Sequence, residues 1–185
     1  MPDKTIGFFV GSLRKESFSR KIANALVGMA PAGFSFKIIE IGQLPLYNQD
    51  FDDHNEVPET YSSFRKEVKA LDGVIFVTPE YNRSVPAVLK NALDVASRPR
   101  GHNCWNDKPG AVVSSSPGTL AGFGANHHLR QCLVCLNVLT MQQPELYLAQ
   151  VQSSFDENGN LTEKSRAFLQ KAVDAYIAWF NRLSK

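Results

Sequence analysis

The chain of 185 residues lacks most of the features that would place it in a special class. It has no excess of charge: 20 Lys and Arg stand against 18 Asp and Glu, a net +2. That balance excludes the basic footprint of a nucleic-acid binder. No apolar run approaches the roughly 20 residues needed to span a bilayer, so no membrane span is expected. Met1–Thr5 lead straight into a strand-like run, so no signal peptide is expected and the expected location is the cytoplasm. Cysteine is scarce: Cys104, Cys132 and Cys135 make an odd set that suits a reducing compartment and excludes a disulfide framework. Cys132-Leu133-Val134-Cys135 has CxxC spacing but sits in an apolar helical pattern, with no second pair to complete a zinc site. Its thiols are expected in the core. There are no repeats, low-complexity tracts or linkers, and the length suits one domain, 1–185.

Two nucleotide-binding motifs are also missing. A dinucleotide site carries G-x-G-x-x-G after its first strand, and here only Gly11 is present; a Walker A loop is absent altogether. Glu40 stands where a ribose-binding acid would, but without the glycines it reads as a surface residue.

What is present is a regular alternation. Apolar runs at Ile6–Val10, Phe34–Ile41, Val74–Val77, Ala111–Val113 and Glu145–Leu148 read as strands. Helical patterns follow Ser19, run from about Pro58 to Ala70, open at Pro86, extend from about Ala125 to Leu139, and close the chain. In the last of these Phe168, Ala172, Tyr176, Trp179 and Leu183 mark the expected buried face. The continuous apolar run Val74–Val77 fits a strand covered on both faces. Alternation of this kind predicts a doubly wound α/β sheet with right-handed crossovers, strand order 2-1-3-4-5. Ligands then bind where the loops leave the first and third strands.

Those loops are the unusual ones. Gly11–Arg20 holds the hydroxyls of Ser12, Ser17 and Ser19 and the cations Arg14 and Lys15. Hydroxyls, a guanidinium and free amides at a helix N-terminus suit a phosphate, although a serine there also serves as a plain helix cap. Thr78–Ser84 places proline and tyrosine beside it, and Ser114–Gly118 leaves the fourth strand at the same edge. A monophosphate cradle next to such a loop fits a flavin mononucleotide.

On these residues the chain resembles the NAD(P)H-dependent FMN reductases, particularly the bacterial quinone and chromate reductases. The resemblance is carried by Gly11-Ser-Leu-Arg-Lys-x-Ser17, Leu44-Pro-Leu-Tyr47, Thr78-Pro-Glu-Tyr-Asn82-x-Ser84-Val-Pro86, Leu89-Lys-Asn-Ala-Leu-Asp94 and His128-Leu-Arg-Gln131. It implies a flavodoxin-like three-layer sandwich with non-covalent FMN and NAD(P)H as electron donor. The phosphate would be held by Ser12, Arg14, Ser17 and Ser19 with the amides of Leu13 and Phe18. Pro79, Glu80, Tyr81 and Asn82 would line the ring, with Ser84 in the same motif, and Ser115 and Ser116 would close its far side. Donor and acceptor would use one face in turn, a ping-pong exchange that needs no catalytic side chain. Quinones are the implied acceptors, with chromate, azo compounds, ferric chelates and free flavin also possible. A flavodoxin-like electron carrier without NAD(P)H oxidation is the alternative.

The resemblance further implies a homodimer or homotetramer, for which the helix opening at Pro86 offers apolar residues. Departures are Ser19 in place of asparagine, Ala87 in place of glycine, and the altered stretch Ala121–His128. His127 and His128, adjacent on a helix, point apart and suit a structural or interface role rather than a metal. Tyr81 would either stack on the flavin or plug into a neighbouring subunit. Trp105 would either cover the site or pack locally. Lys90 and Asp94 are spaced for a surface pair.

Overall fold

The structure, a computed structural model, describes residues 3–184. The strands are β1 (Lys4–Val10), β2 (Phe34–Ile39), β3 (Gly73–Thr78), β4 (Pro109–Ser115), β5 (Leu139–Thr140) and β6 (Leu146–Leu148). The helices are α1 (Phe18–Val27), α2 (Asp50–Asp53), α3 (Glu59–Ala70), α4 (Ala87–Ala96), α5 (Phe123–Cys135) and α6 (Glu163–Leu183). All strand pairs are parallel, in the order β2-β1-β3-β4, and β5 and β6 share the fifth position against β4. This is the expected 2-1-3-4-5 flavodoxin-like order.

The strand side chains alternate between two cores. Ile6, Phe8, Val10, Ile75, Val77 and Val113 pack under α1 and α6. Phe9, Val74, Phe76 and Val112 pack under α3, α4 and α5. Coverage on both faces explains why β1, β3 and β4 read as unbroken apolar runs. Trp105 lies wholly inside the second core, edge-on to Phe9, and its indole N–H donates to Leu93 O. It packs locally rather than covering the site.

Several boundaries differ from expectation. The helix expected to reach Leu139 stops at Cys135, where Asn137 takes a left-handed φ of 55°. Val138 N–H then donates to Leu133 O and Asn137 N–H to Val134 O, a Schellman closure with asparagine in the usual glycine position. Leu139 is released into β5, a short strand that the apolar pattern had merged with the helix. In α6 the buried stripe runs through Leu169, Ala172, Val173, Tyr176 and Phe180, while Phe168 is exposed. Cys132 is half-buried and Cys135 exposed, so the thiols expected in the core are not there. In α4, Leu89, Ala92, Leu93 and Ala96 are consumed by the chain's own core, which leaves little apolar surface for a partner.

One polar network fixes the Leu44–Asn48 loop against α4. Asn91 on α4 accepts from Tyr47 N–H (2.8 Å) and donates to Leu44 O and Pro45 O. Tyr61 OH donates to Leu46 O. Below it, Arg65 donates two hydrogen bonds to Asp52 (2.7 and 2.8 Å), with both side chains largely buried. The Arg65 guanidinium holds the Asp52 carboxyl below the usual carboxylate range, against the opposing effect of burial.

Replacing Asp52 with Asn leaves Arg65 unpaired and is expected to cost about 3 kcal/mol at neutral pH. Because the folded state keeps Asp52 ionised to lower pH than the unfolded chain, its contribution is full above an unfolded pKa of about 4. It is lost as pH falls through the depressed folded value. Urea unfolding of both proteins across this range should show the gap closing at acid pH. A gap that does not change with pH would show that the ion pair contributes nothing.

Candidate functional site

The site forms where the carboxyl ends of β1, β3 and β4 meet. β1 runs into Gly11, whose N–H donates to Val77 O on β3. A Cβ on Gly11 would lie 2.9 Å from Thr78 Oγ1 and 3.2 Å from Pro79 Cδ. Only glycine lets the two loops approach this closely.

Beyond Gly11 the chain turns into α1 at Ser17, the N-cap, whose Oγ accepts from Arg20 N–H at 3.2 Å. Ser17 therefore is a cap, and its buried hydroxyl also borders the cleft. The amides of Phe18 and Ser19, first in the helix, have no intrahelical acceptor. The first turn of α1 carries no acidic side chain, so its partial positive charge is left uncompensated. Ser12 and Ser19 are buried with their loop, and Arg14 is exposed at its rim.

A cleft of about 70 Å³ gathers Ser12, Arg14, Ser17, Phe18, Ser19, Pro79, Tyr81, Ser115 and Ser116. Pro117 and Val151 complete its lining, and sequence reasoning did not single them out. Val151 arrives because its N–H donates to Ser116 O as the chain leaves β6. The only sequence signal for it was its position after the last strand, whose carboxyl end must reach the same edge.

The remaining expected residues lie outside the cleft. Leu13 is exposed and rests on the backbone of Gly42. Asn82 and Arg83 form the tip of a tight turn, both at positive φ (48° and 65°), closed by paired hydrogen bonds between Tyr81 and Ser84. This two-residue geometry is ordinary for asparagine and strained for arginine. The turn leaves Tyr81 half-exposed at the mouth of the cleft. Ser84 Oγ lies 3.0 Å from His128 Nδ1, while His127 Nε2 lies 3.0 Å from Tyr147 OH. The two histidines do point apart. Among the described residues no group of three or more His, Cys, Asp or Glu side chains is placed to hold a metal.

Glu80 has a role that the sequence did not disclose. Its Oε2 accepts from Ala125 N–H at 3.0 Å, so the Thr78–Ser84 loop caps α5 from outside the helix. The formal N-cap, Gly122, sits at φ 72° and offers no side chain. Gly124 is required by the same contact: a Cβ there would meet Arg83 O at 2.7 Å. On the other side of α5, Asn126 donates to Ser114 Oγ and accepts from Arg130 Nε, and Arg130 donates to Met141 O. The altered stretch Ala121–His128 is thus a hinge of contacts that couples two of the three site loops. Glu80→Ala is expected to cost about 1 kcal/mol of unfolding free energy through loss of the cap, with Glu80→Gln recovering most of it. Denaturant titration of both variants measures this, and equal losses in the two would reject the capping role.

Comparisons with known proteins agree with this geometry. A family model described as NADPH-dependent FMN reductase matches residues 5–153. A quinone reductase of Pseudomonas putida strain KT2440 is 54% identical over 175 residues, covering 95% of this chain and 94% of that protein. A 2-hydroxy-1,4-benzoquinone reductase of a Burkholderia species is 46% identical over 175 residues, covering 94% of each. Among solved structures, the flavoenzyme NAD(P)H:(acceptor) oxidoreductase FerB of Paracoccus denitrificans superposes with a TM-score of 0.87 at 37% identity, covering 97% of this chain and 98% of that one. With its Ser12–Ser19 cradle, its parallel 2-1-3-4-5 sheet and a match over most of its length, this chain belongs to the NADPH-dependent FMN reductase family.

Proposed function

We propose that the chain is an NAD(P)H:quinone oxidoreductase that holds FMN without a covalent bond at the Ser12–Ser19 and Pro79–Tyr81 edge. The observation that carries this reading is the gathering of three separate loops around one phosphate-sized cleft. The residues fit the group: free amides at Phe18 and Ser19, the hydroxyls of Ser12 and Ser19, and an exposed cation at Arg14 all favour an anion. The ring would lie outward from that cleft, between Pro79–Tyr81 and Ser115–Pro117. When bound, FMN supplies two-electron chemistry, taking a hydride from NAD(P)H and passing two electrons to the acceptor.

The protein's own work is positioning. Gly11 sets the spacing between the phosphate loop and Pro79. Glu80 locks the loop that carries Tyr81 to the start of α5. No side chain acts as nucleophile or general base. Leu13, Leu46, Tyr81 and Phe123 are exposed large apolar side chains. They suit a second copy of the chain, and we place the homodimer or homotetramer contact on these side chains rather than on α4. Quinones are the favoured acceptors, with chromate, azo compounds, ferric chelates or free flavin as further ones.

Three measurements test this. An anaerobic visible spectrum of purified protein should show bound flavin that bleaches with NADH or NADPH and recovers with benzoquinone, with parallel initial-rate lines for donor and acceptor. A flavin that stays yellow with both donors would mean an electron carrier, and intersecting lines would reject the shared face. Ser19→Ala removes a hydroxyl that caps nothing. It is expected to weaken FMN about tenfold, roughly 1.4 kcal/mol, and to leave riboflavin affinity unchanged. Equal losses for both flavins would move the phosphate elsewhere.

A further inference from the structure

At the opposite edge of the sheet, where β3 and β4 begin, the chain forms a cleft of about 630 Å³. Its lining includes Arg65, Lys66, Lys69, Arg98, His102 and Lys108, and no aspartate or glutamate. The chain as a whole carries only +2, so this is a local concentration of one sign. A concave surface lined by one sign of charge focuses its field on whatever enters. The volume lies within the usual range for a small-molecule site.

The ordinary explanation for such cations is that they complement helix C-termini. Two of them do internal work of that kind. Lys108 is buried, and its ammonium donates to Leu71 O and Lys69 O, closing the end of α3. Arg65 is held by Asp52 and by Val95 O. These two form a fixed floor. With the end of α3 already satisfied by Lys108, the others are surplus. Lys66, Lys69, Arg98 and His102 make no ion pair among the described residues. They come from two elements, Lys66 and Lys69 from α3 and Arg98 and His102 from the loop after α4. That loop is itself anchored: Cys104 N–H donates to Ala96 O, and Asn103 Nδ2 to Leu136 O.

We propose that this cleft is a second binding site, distinct from the flavin edge, for a small molecule that carries a polyphosphate group. Cations contributed by two separate elements outnumber what one phosphate can pair with, so a chain of phosphates is favoured over orthophosphate. A net charge of only +2 for the whole chain argues against the long basic stripe that a nucleic acid tracks. Pro99 and His102, also in the lining, give a base or other planar group two rings to pack against.

The test uses FMN-loaded protein, titrated calorimetrically with sodium tripolyphosphate at physiological salt. One equivalent should bind, at least about tenfold tighter than orthophosphate. Lys66→Ala combined with Arg98→Ala should weaken it at least about tenfold and leave quinone turnover and FMN content unchanged, since neither residue touches the flavin edge. In a Cys132→Ser, Cys135→Ser background, tripolyphosphate should also slow alkylation of Cys104, which lines the cleft. ADP binding tighter than tripolyphosphate would identify a nucleoside polyphosphate, and weaker binding would identify the polyphosphate group alone. Absence of binding at about 1 mM tripolyphosphate, or binding unchanged in the double variant, would overturn the proposal. The reductase reading would be untouched by that failure, because the two sites share no residue.

Discussion

The molecule depends on one close approach: the backbone of Gly11, leaving β1, passes against Thr78 and Pro79 at the end of β3. Parallel strands bring their carboxyl ends to one edge, but they do not dictate how near two loops may come. Here the missing Cβ does. It allows the Gly11 amide to pair with Val77 O, so the loop leaves β1 in contact with its neighbour instead of above it. The Ser12–Ser19 loop and the Thr78–Ser84 loop become two walls of one cleft as a result.

The loops of that cleft are held by side chains that never face it. Glu80 turns away from its own loop to cap α5, and Gly124 accepts the approach. Asn126 and Arg130 carry the fastening from β4 through α5 to Met141. Asn91 holds Leu44, Pro45 and Tyr47 by three hydrogen bonds, and Asp52–Arg65 braces the same region from below. Loops make precise sites only when backbone polar groups such as these are satisfied by rigid neighbours. The motifs that relate this chain to quinone reductases are therefore of two kinds. Gly11–Ser19 and Pro79–Tyr81 meet at the cleft, whereas the Asn91 and Arg130 segments hold the frame.

The two edges of the sheet also differ electrically. At the carboxyl edge, helix α1 points its amino end, without acidic side chains, at the cleft. At the amino edge, the positive charge comes from side chains, since helix C-termini there present carbonyls that Lys108 must first neutralise. The two proposed anion sites therefore differ in kind, the first built mostly from backbone and the second from lysine and arginine.

Much of this was determined by the sequence alone. Period and apolar content decide which segments are strands and which are helices, and right-handed crossovers then leave little freedom in strand order. The fold and the edge at which the serine-, proline- and tyrosine-bearing loops meet follow from local pattern. What the tertiary structure decided is wherever an apolar residue or polar side chain had a choice of partner. The fifth sheet position is divided because Asn137 can close a helix as glycine does, which no hydrophobic period reveals. Cys135 is exposed because the helix turns that face outward, though its neighbours are apolar. Glu80 reads as a loop carboxylate until α5 is brought beside it, 45 residues along the chain. Val151 joins the cleft only because β6 ends against Ser116. Periodicity records what a segment buries; which distant atom meets a given side chain is settled only by packing.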